Sequence, residues 1–305
     1  MLRILVFVAA VLILCGIGLA WAVTAPRPTF GEADAARFEN GDPLRGKVIF
    51  DAGQCSSCHA TPGQADRLRL GGGLALGSPY GTFHPPNISP DPEHGIGRWR
   101  GLDLANAMLS GVSPDGQHYY PAFPYSSYAR MRAEDVRDLW AYLRGLEPTP
   151  ERAPPHALPF PLTMRRGVGF WKLLFLEQGA VPEDPSRNAA WNRGHYLTEA
   201  IAHCAECHST RNLLGAIRPE TRFAGGPDQE GTGYVPNITP QALGHWSVED
   251  LVEVLTTGRT PDLRVVKSSM DDVVRNMAAL PEEDRRAIAT YIHSLPPRRT
   301  PGFSN

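Results

Sequence analysis

"HCAECHSTRN", residues 203–212, holds two cysteines with two residues between them and a histidine directly after the second. This spacing marks covalent attachment of c-type haem: the two thiols take the porphyrin through thioether bonds and the histidine becomes an iron ligand. A second copy, "CSSCH", occupies residues 55–59. The two motifs use Cys55, Cys58, Cys204 and Cys207 and leave only Cys15. A zinc site would have to gather four ligands from both distant motifs. A thioredoxin-like dithiol belongs in a β-α-β pattern, whereas loops rich in glycine and proline surround each motif here. Two haem groups, with His59 and His208 as iron ligands, are the expected cofactors.

The chain of 305 residues is long enough for two domains, and its net charge of -2 gives no argument for nucleic acid. Its 30 glycines and 29 prolines suggest long loops and few long elements. The N-terminus "MLRILVFVAAVLILCGIGLAWAVTAPRP" is apolar from Ile4 to Ala25. That run is long enough to cross a bilayer as a helix and exceeds the usual signal-peptide core. With Arg3 held in the cytoplasm, the rest lies outside a bacterial inner membrane, on the periplasmic side. A cleaved signal is the competing reading, since "AWA" (20–22) and "VTA" (23–25) resemble cleavage sites. Cys15 reads as a membrane residue.

The chain repeats itself. His59 and His208 stand 149 residues apart, "PNIS" (from Pro86) and "PNIT" (from Pro236) 150, and Trp99 and Trp246, like Gly111 and Gly258, 147. Each copy closes on an amphipathic helix: Val136, Leu139, Trp140, Leu143 and Leu146 form one apolar stripe, and Ile288, Tyr291, Ile292 and Leu295 the other. Pro281 suits the first turn of the second, and Ser247 with Asp250 resembles a capping box for a helix ending near Gly258. The expected architecture is mainly α: a transmembrane anchor (1–25), a first haem domain (26–150), a connector (151–190) and a second haem domain (191–305). The connector's "FWKLLFL" (170–176) is expected to fill the interface between the domains.

Most of residues 26–298 resembles the membrane-anchored multihaem cytochrome c subunits of bacterial periplasmic dehydrogenases for alcohols, gluconate, sugars and aldehydes. The resembling stretches are "GGGLALGSPYGTFHPPNISPDPEHGIGRW" (71–99), "GQHYYPAFPYSSYARM" (116–131), "WNRGHYLTEAIAHCAECHSTRN" (191–212) and "SSMDDVVRNMAAL" (268–280). The resemblance implies tandem class I-like cytochrome c domains, in which a methionine from the loop before the last helix completes the iron coordination. For the second domain the candidates are Met270 and Met277, and the family's M-x-x-V-V-x-N pattern selects Met270. Many relatives carry "PAMPY" where this chain has Phe123, which leaves Met131 as the methionine of the first loop; otherwise the first iron has an unusual or vacant sixth site. Many relatives also carry a third C-x-x-C-H domain, and this chain resembles a shorter, two-haem branch.

Trp99, Trp246, Arg211 and Tyr196 are candidate partners for haem propionates, with core packing an equal explanation for the tryptophans. Met108 reads as core, and His84, His94, His118, His203 and His245 as solvated or structural. The expected function is transfer of single electrons from a periplasmic dehydrogenase to a quinone, an oxidase or another cytochrome. The alternative is a dihaem enzyme such as a peroxidase or a thiosulfate-oxidising enzyme, which Phe123 keeps open. No Ser/His/Asp constellation, phosphate-cradling loop or carboxylate cluster is visible.

Overall fold

The computed structural model describes residues 1–229, 231 and 233–302. Helix α1 (Leu2–Val23) has no buried residue and a mean hydropathy of 2.8 over its most apolar window. Beyond it the chain builds the same helical scaffold twice. The first copy runs through α2 (Pro43–Ala52), the one-turn α3 (Cys55–His59), a small hairpin of β1 (Leu76–Ser78) and β2 (Gly81–Phe83), α4 (Gly101–Ser110), α5 (Tyr125–Tyr128) and α6 (Ala133–Leu143). Helix α7 (Val168–Phe175) follows in the connector. The second copy comprises α8 (Ala189–Tyr196), α9 (Cys204–Cys207), strands β3 (Gly226–Pro227) and β4 (Tyr234–Val235), α10 (Pro240–Leu243), α11 (Val248–Thr257), α12 (Ser269–Ala278) and α13 (Glu282–His293).

In each copy the helix before the haem motif crosses the closing helix at a glycine. A Cβ on Gly46 of α2 would stand 2.0 Å from the Asp138 carbonyl oxygen of α6, and one on Gly194 of α8 would stand 1.9 Å from that of Ala287 of α13. Backbone lies directly against backbone, so no side chain larger than hydrogen fits. Gly194→Val is therefore expected to destabilise the fold by about 3 kcal/mol or more, since the helices must separate and the apolar faces behind them lose contact. Thermal unfolding followed by helical circular dichroism measures this, and an unchanged midpoint would contradict the close crossing.

The apolar stripes read from the sequence face these crossings. Val136, Leu139, Trp140 and Leu143 are buried and Leu146 is half-buried; Ile288, Tyr291, Ile292 and Leu295 are all buried. Helix α11 starts with the expected capping box, Ser247 Oγ accepting from the Asp250 amide at 3.1 Å and the Ser247 amide donating to Asp250 Oδ2 at 2.8 Å. Both α4 and α11 end on a glycine in the left-handed region, Gly111 and Gly258. Pro281 stands one residue before α13 as its N-cap.

Asp138 ties α6 to the start of α2. It is buried, and it accepts from the Asp42 amide at 3.0 Å and from Arg45 Nε at 2.7 Å, with Arg137 on the same carboxylate. Burial opposes its ionisation, but the hydrogen bonds from Arg45, the Asp42 amide and Arg137 outweigh it and hold its carboxyl below the ordinary aspartate value of 3.8. A carboxyl depressed on folding contributes stability that is full above its unfolded value and disappears as pH falls through the lower folded value. Asp138→Asn is expected to unfold more easily at pH 7 and to lose part of the decline in stability below about pH 4. Denaturation midpoints from pH 3 to 7 test this, and parallel curves for the two proteins would refute it.

One expectation holds only in part in the connector. Within this segment, Trp171 and Lys172 turn inward: Trp171 Nε1 donates to the Leu214 carbonyl at 2.9 Å, and Lys172 Nζ donates to the carbonyls of Ser110 and Gly111 at 2.7 and 2.6 Å. Phe170, Leu173 and Leu174 point out to solvent instead of filling the interface. At helical spacing an eight-residue segment has two faces, and only one of them is covered.

Candidate haem sites

Each Cys-x-x-Cys-His segment winds into a single helical turn, so the two thiols, three residues apart, lie on one face and the histidine follows directly. The residue before each first cysteine, Gln54 or His203, adopts a left-handed backbone that turns the chain sharply into the motif. His59 Nδ1 lies 2.7 Å from the Pro86 carbonyl, and His208 Nδ1 lies 2.7 Å from the Pro236 carbonyl. A carbonyl oxygen only accepts, so Nδ1 must carry the proton in both rings. That leaves Nε2 with its lone pair, the tautomer a metal ligand needs. Burial also pushes both imidazoles below their usual pKa, towards the neutral form.

The "PNIS" and "PNIT" segments are what hold those carbonyls. Gly72 and Gly225, both in the left-handed region, donate their amides to the carbonyls of His59 and His208 at 2.9 Å. A Cβ on either glycine would lie within 2.4 to 2.8 Å of the backbone around the paired proline, Pro86 or Pro236. Asn87 donates to the carbonyls of Thr149 and Glu151, and Asn237 to the Arg298 carbonyl and Thr300 Oγ1. The stretch after each closing helix is thus drawn back beneath its own histidine.

This donor set fits c-type haem and disfavours the other readings. The four motif cysteines form no disulfide. Burial pushes the thiols of Cys55 and Cys204 up to about 12, whereas a redox dithiol needs a thiolate stabilised near neutrality. Among the described residues no three histidine, cysteine or acidic side chains converge on a common metal position.

The two motifs meet in a reciprocal junction. Gln54 Nε2 donates to the Ala202 carbonyl at 3.1 Å, and His203 Nε2 lies 3.3 Å from the Gly53 carbonyl, the same pairing with the copies exchanged. Asn276 of α12 donates to Ser57 Oγ at 2.9 Å, and in the exchanged position Ser127 of α5 donates to Glu206 Oε1 at 3.2 Å. Each pair maps onto the other through the 149-residue offset, so the copies are related by a pseudo-two-fold axis between the motifs. Ser126 and Arg211 complete the partners of Glu206 at 2.7 Å each. Although burial opposes the charge of Glu206, Arg211 and Ser126 prevail and keep this carboxyl below its ordinary range.

Several residues singled out in the sequence take other places. Arg211 is committed to Glu206 and the Gly215 carbonyl, and the Tyr196 hydroxyl donates to Asp135 while accepting from the Arg132 amide, so both serve the protein framework. Trp99 and Trp246 pack at the edge of the core, and Met108 lies within it. His118 is a buried structural histidine facing the Thr24 carbonyl. Met270 lies in the first turn of α12 and is half-buried, whereas Met277 is sealed in the core. Met131 departs from expectation. Its amide bonds to the Tyr128 carbonyl just as that of Leu280 bonds to the Met277 carbonyl, and the two side chains are 3% and 4% exposed within the core. It is the counterpart of a packing leucine. The partly exposed Phe123, stacked edge-on against Tyr119 and Tyr128, lies in the loop ahead of α5. The reciprocal polar pairs escaped the sequence reading; applying the repeat offset to polar residues as well as to motifs would have exposed them.

Comparison with known proteins agrees with this geometry. The cytochrome c family matches residues 44–147. A diheme cytochrome c-type protein of Cereibacter sphaeroides is 45% identical over 297 residues, which cover 94% of this chain and 96% of that protein. A nicotinate dehydrogenase subunit of Pseudomonas putida is 39% identical over 88% of this chain but only 22% of its own length. The fructose dehydrogenase cytochrome subunit of Gluconobacter japonicus is 35% identical over 96% of this chain and 59% of its own length. With two haem-attachment turns, two oriented histidines and a relative matched almost end to end, the chain belongs to the dihaem c-type cytochromes and carries two covalently attached haem c groups.

Proposed function

We propose that this cytochrome takes electrons one at a time from a periplasmic dehydrogenase and hands them to the respiratory chain, to a quinone, an oxidase or another cytochrome. The observation that carries the reading is the reciprocal junction. Residues flanking one haem motif hydrogen-bond directly to residues flanking the other, so no intervening domain separates the two attachment sites. The haems supply iron centres that change by one electron without proton chemistry from the protein. The chain's work is to hold them: Cys55 and Cys58 with His59 for the first, and Cys204 and Cys207 with His208 for the second, in domains of 26–150 and 191–305 joined by 151–190.

Met270 is proposed as the sixth ligand of the second iron, being the half-buried methionine of the loop and first turn ahead of α13. For the first iron we place no methionine, because Met131 packs as Leu280 does and Phe123 occupies the loop. Helix α1 is read as an anchor in the bacterial inner membrane that leaves both haem domains in the periplasm. Tethering raises the effective concentration of the carrier at membrane-bound partners.

The relatives' subunit names support a dehydrogenase as donor. Affinity capture of the tagged chain from solubilised membranes is expected to bring down a flavin, quinoprotein or molybdenum subunit whose substrate then reduces both haems. Capture of no such subunit, with reduction by chemical reductants alone, would sink the proposal.

A further inference from the structure

The end of α1 is welded to the first copy. The His118 Nε2 proton bonds to the Thr24 carbonyl at 2.9 Å, and Arg166 reaches Thr24 Oγ1 at 3.3 Å and the Trp21 carbonyl. The Arg166 guanidinium also lies 4.1 Å from the centre of the Trp21 ring. A Cβ on Gly169, in the first turn of α7, would come within 2.4 Å of the Thr24 carbonyl oxygen. The apolar helix and α7 therefore emerge from one point with no slack between them.

Beside that point lies an uncovered apolar surface. Phe160, Met164, Phe170, Leu173 and Leu174 are each at least half exposed, and Leu162 more than a third. Positions 170, 173 and 174 form one stripe of α7, while Trp171 and Lys172 on the opposite face fix the helix to the protein. Three arginines stand by the end of α1 and the start of α7: Arg166 lies against Trp21, Arg165 lies over the Tyr120 ring, and Arg27 donates to the Ala22 carbonyl.

We infer that this surface dips into the outer face of the same bilayer that α1 crosses, so that the first haem domain sits on the membrane in one fixed orientation. The inference rests on reading α1 as a membrane-spanning helix. Three features select lipid over a protein partner. The surface is continuous with the lipid-compatible α1, its border is basic and suits phospholipid phosphates, and Trp21 stands where an interfacial aromatic belongs. Short amphipathic helices with one apolar face bind membranes in this way, and here the anchor has already supplied the proximity.

The test uses the full chain with both haems, reconstituted in phosphatidylcholine and phosphatidylglycerol vesicles doped with a phospholipid bearing a photoreactive diazirine in its acyl chain. After illumination, mass spectrometry maps the labelled peptides. Label is expected both within 2–23 and within 159–176. In a Phe170→Glu/Leu174→Glu variant with an unchanged reduced spectrum, label in 159–176 is expected to fall about tenfold while that in 2–23 stays, as the cost of placing carboxylates among acyl chains requires. Label confined to 2–23 in the wild-type chain would leave the anchor standing and overturn the membrane-contact surface, assigning it to a protein partner. Absence of label from 2–23 would overturn the anchor reading itself.

Discussion

A Cys204→Ala/Cys207→Ala variant is expected to carry one haem where the wild type carries two, and to lose the ordered packing of its second copy. Without the thioether bonds, the cofactor is held only through His208 and apolar contact. The framework around His208 is built to present one nitrogen: the Pro236 carbonyl fixes the ring, the Gly225 amide holds the His208 carbonyl, and Asn237 ties down the segment that carries Pro236. Cofactor binding and folding are expected to be coupled there, as in other sites where a group bound only by the folded state adds its binding energy to stability. Denaturing mass spectrometry is expected to show a single haem increment, and the reduced absorption of the variant to be half that of the wild type. The loss should also reach across the junction, because Gln54 would then point at a disordered Ala202 carbonyl. Retention of two haem increments would show that these cysteines are not the attachment points.

Exchanging methionines should separate the two irons. Met270→Leu is expected to leave the second iron without its sulfur ligand, so that this haem becomes high-spin and adds a carbon monoxide complex to whatever the wild type shows when reduced; its potential should fall, because the methionine ligand favours the reduced state. Met131→Leu is expected to leave the spectrum unaltered and to cost only about 1 kcal/mol of stability, as a volume-conserving exchange in a core position. The asymmetry follows from placement: Met270 is half-buried on the first turn of α12, whereas Met131 fills the core position that Leu280 fills in the other copy. Carbon monoxide difference spectra of the two variants decide it. A new carbon monoxide complex in Met131→Leu would restore Met131 as a ligand.

The haem chemistry was legible because it depends on local spacing. Cys-x-x-Cys-His must form a turn, and the repeated "PN" segments supply the carbonyls that orient His59 and His208. The helices were legible because their apolar stripes must face the glycine crossings. Less visible was anything set by the relation between the copies. The outward turn of Phe170, Leu173 and Leu174 depends on where α1 and the first copy leave space, and composition alone favours burying so apolar a segment. Met131 illustrates the same limit. Its position ahead of the closing helix suits a ligand, but its orientation is fixed by a tertiary core that only the comparison with Leu280 reveals. Glu206, Ser127 and Asn276 are unremarkable polar residues until the two-fold relation pairs them.

The most direct test of two covalently held redox centres is a reductive titration of the purified wild-type chain, paired with its intact mass under denaturing conditions. The chain is expected to keep two haem increments after acid extraction and to take up two electrons, one at each iron. A mass equal to the bare polypeptide, or a single electron per chain, would contradict this.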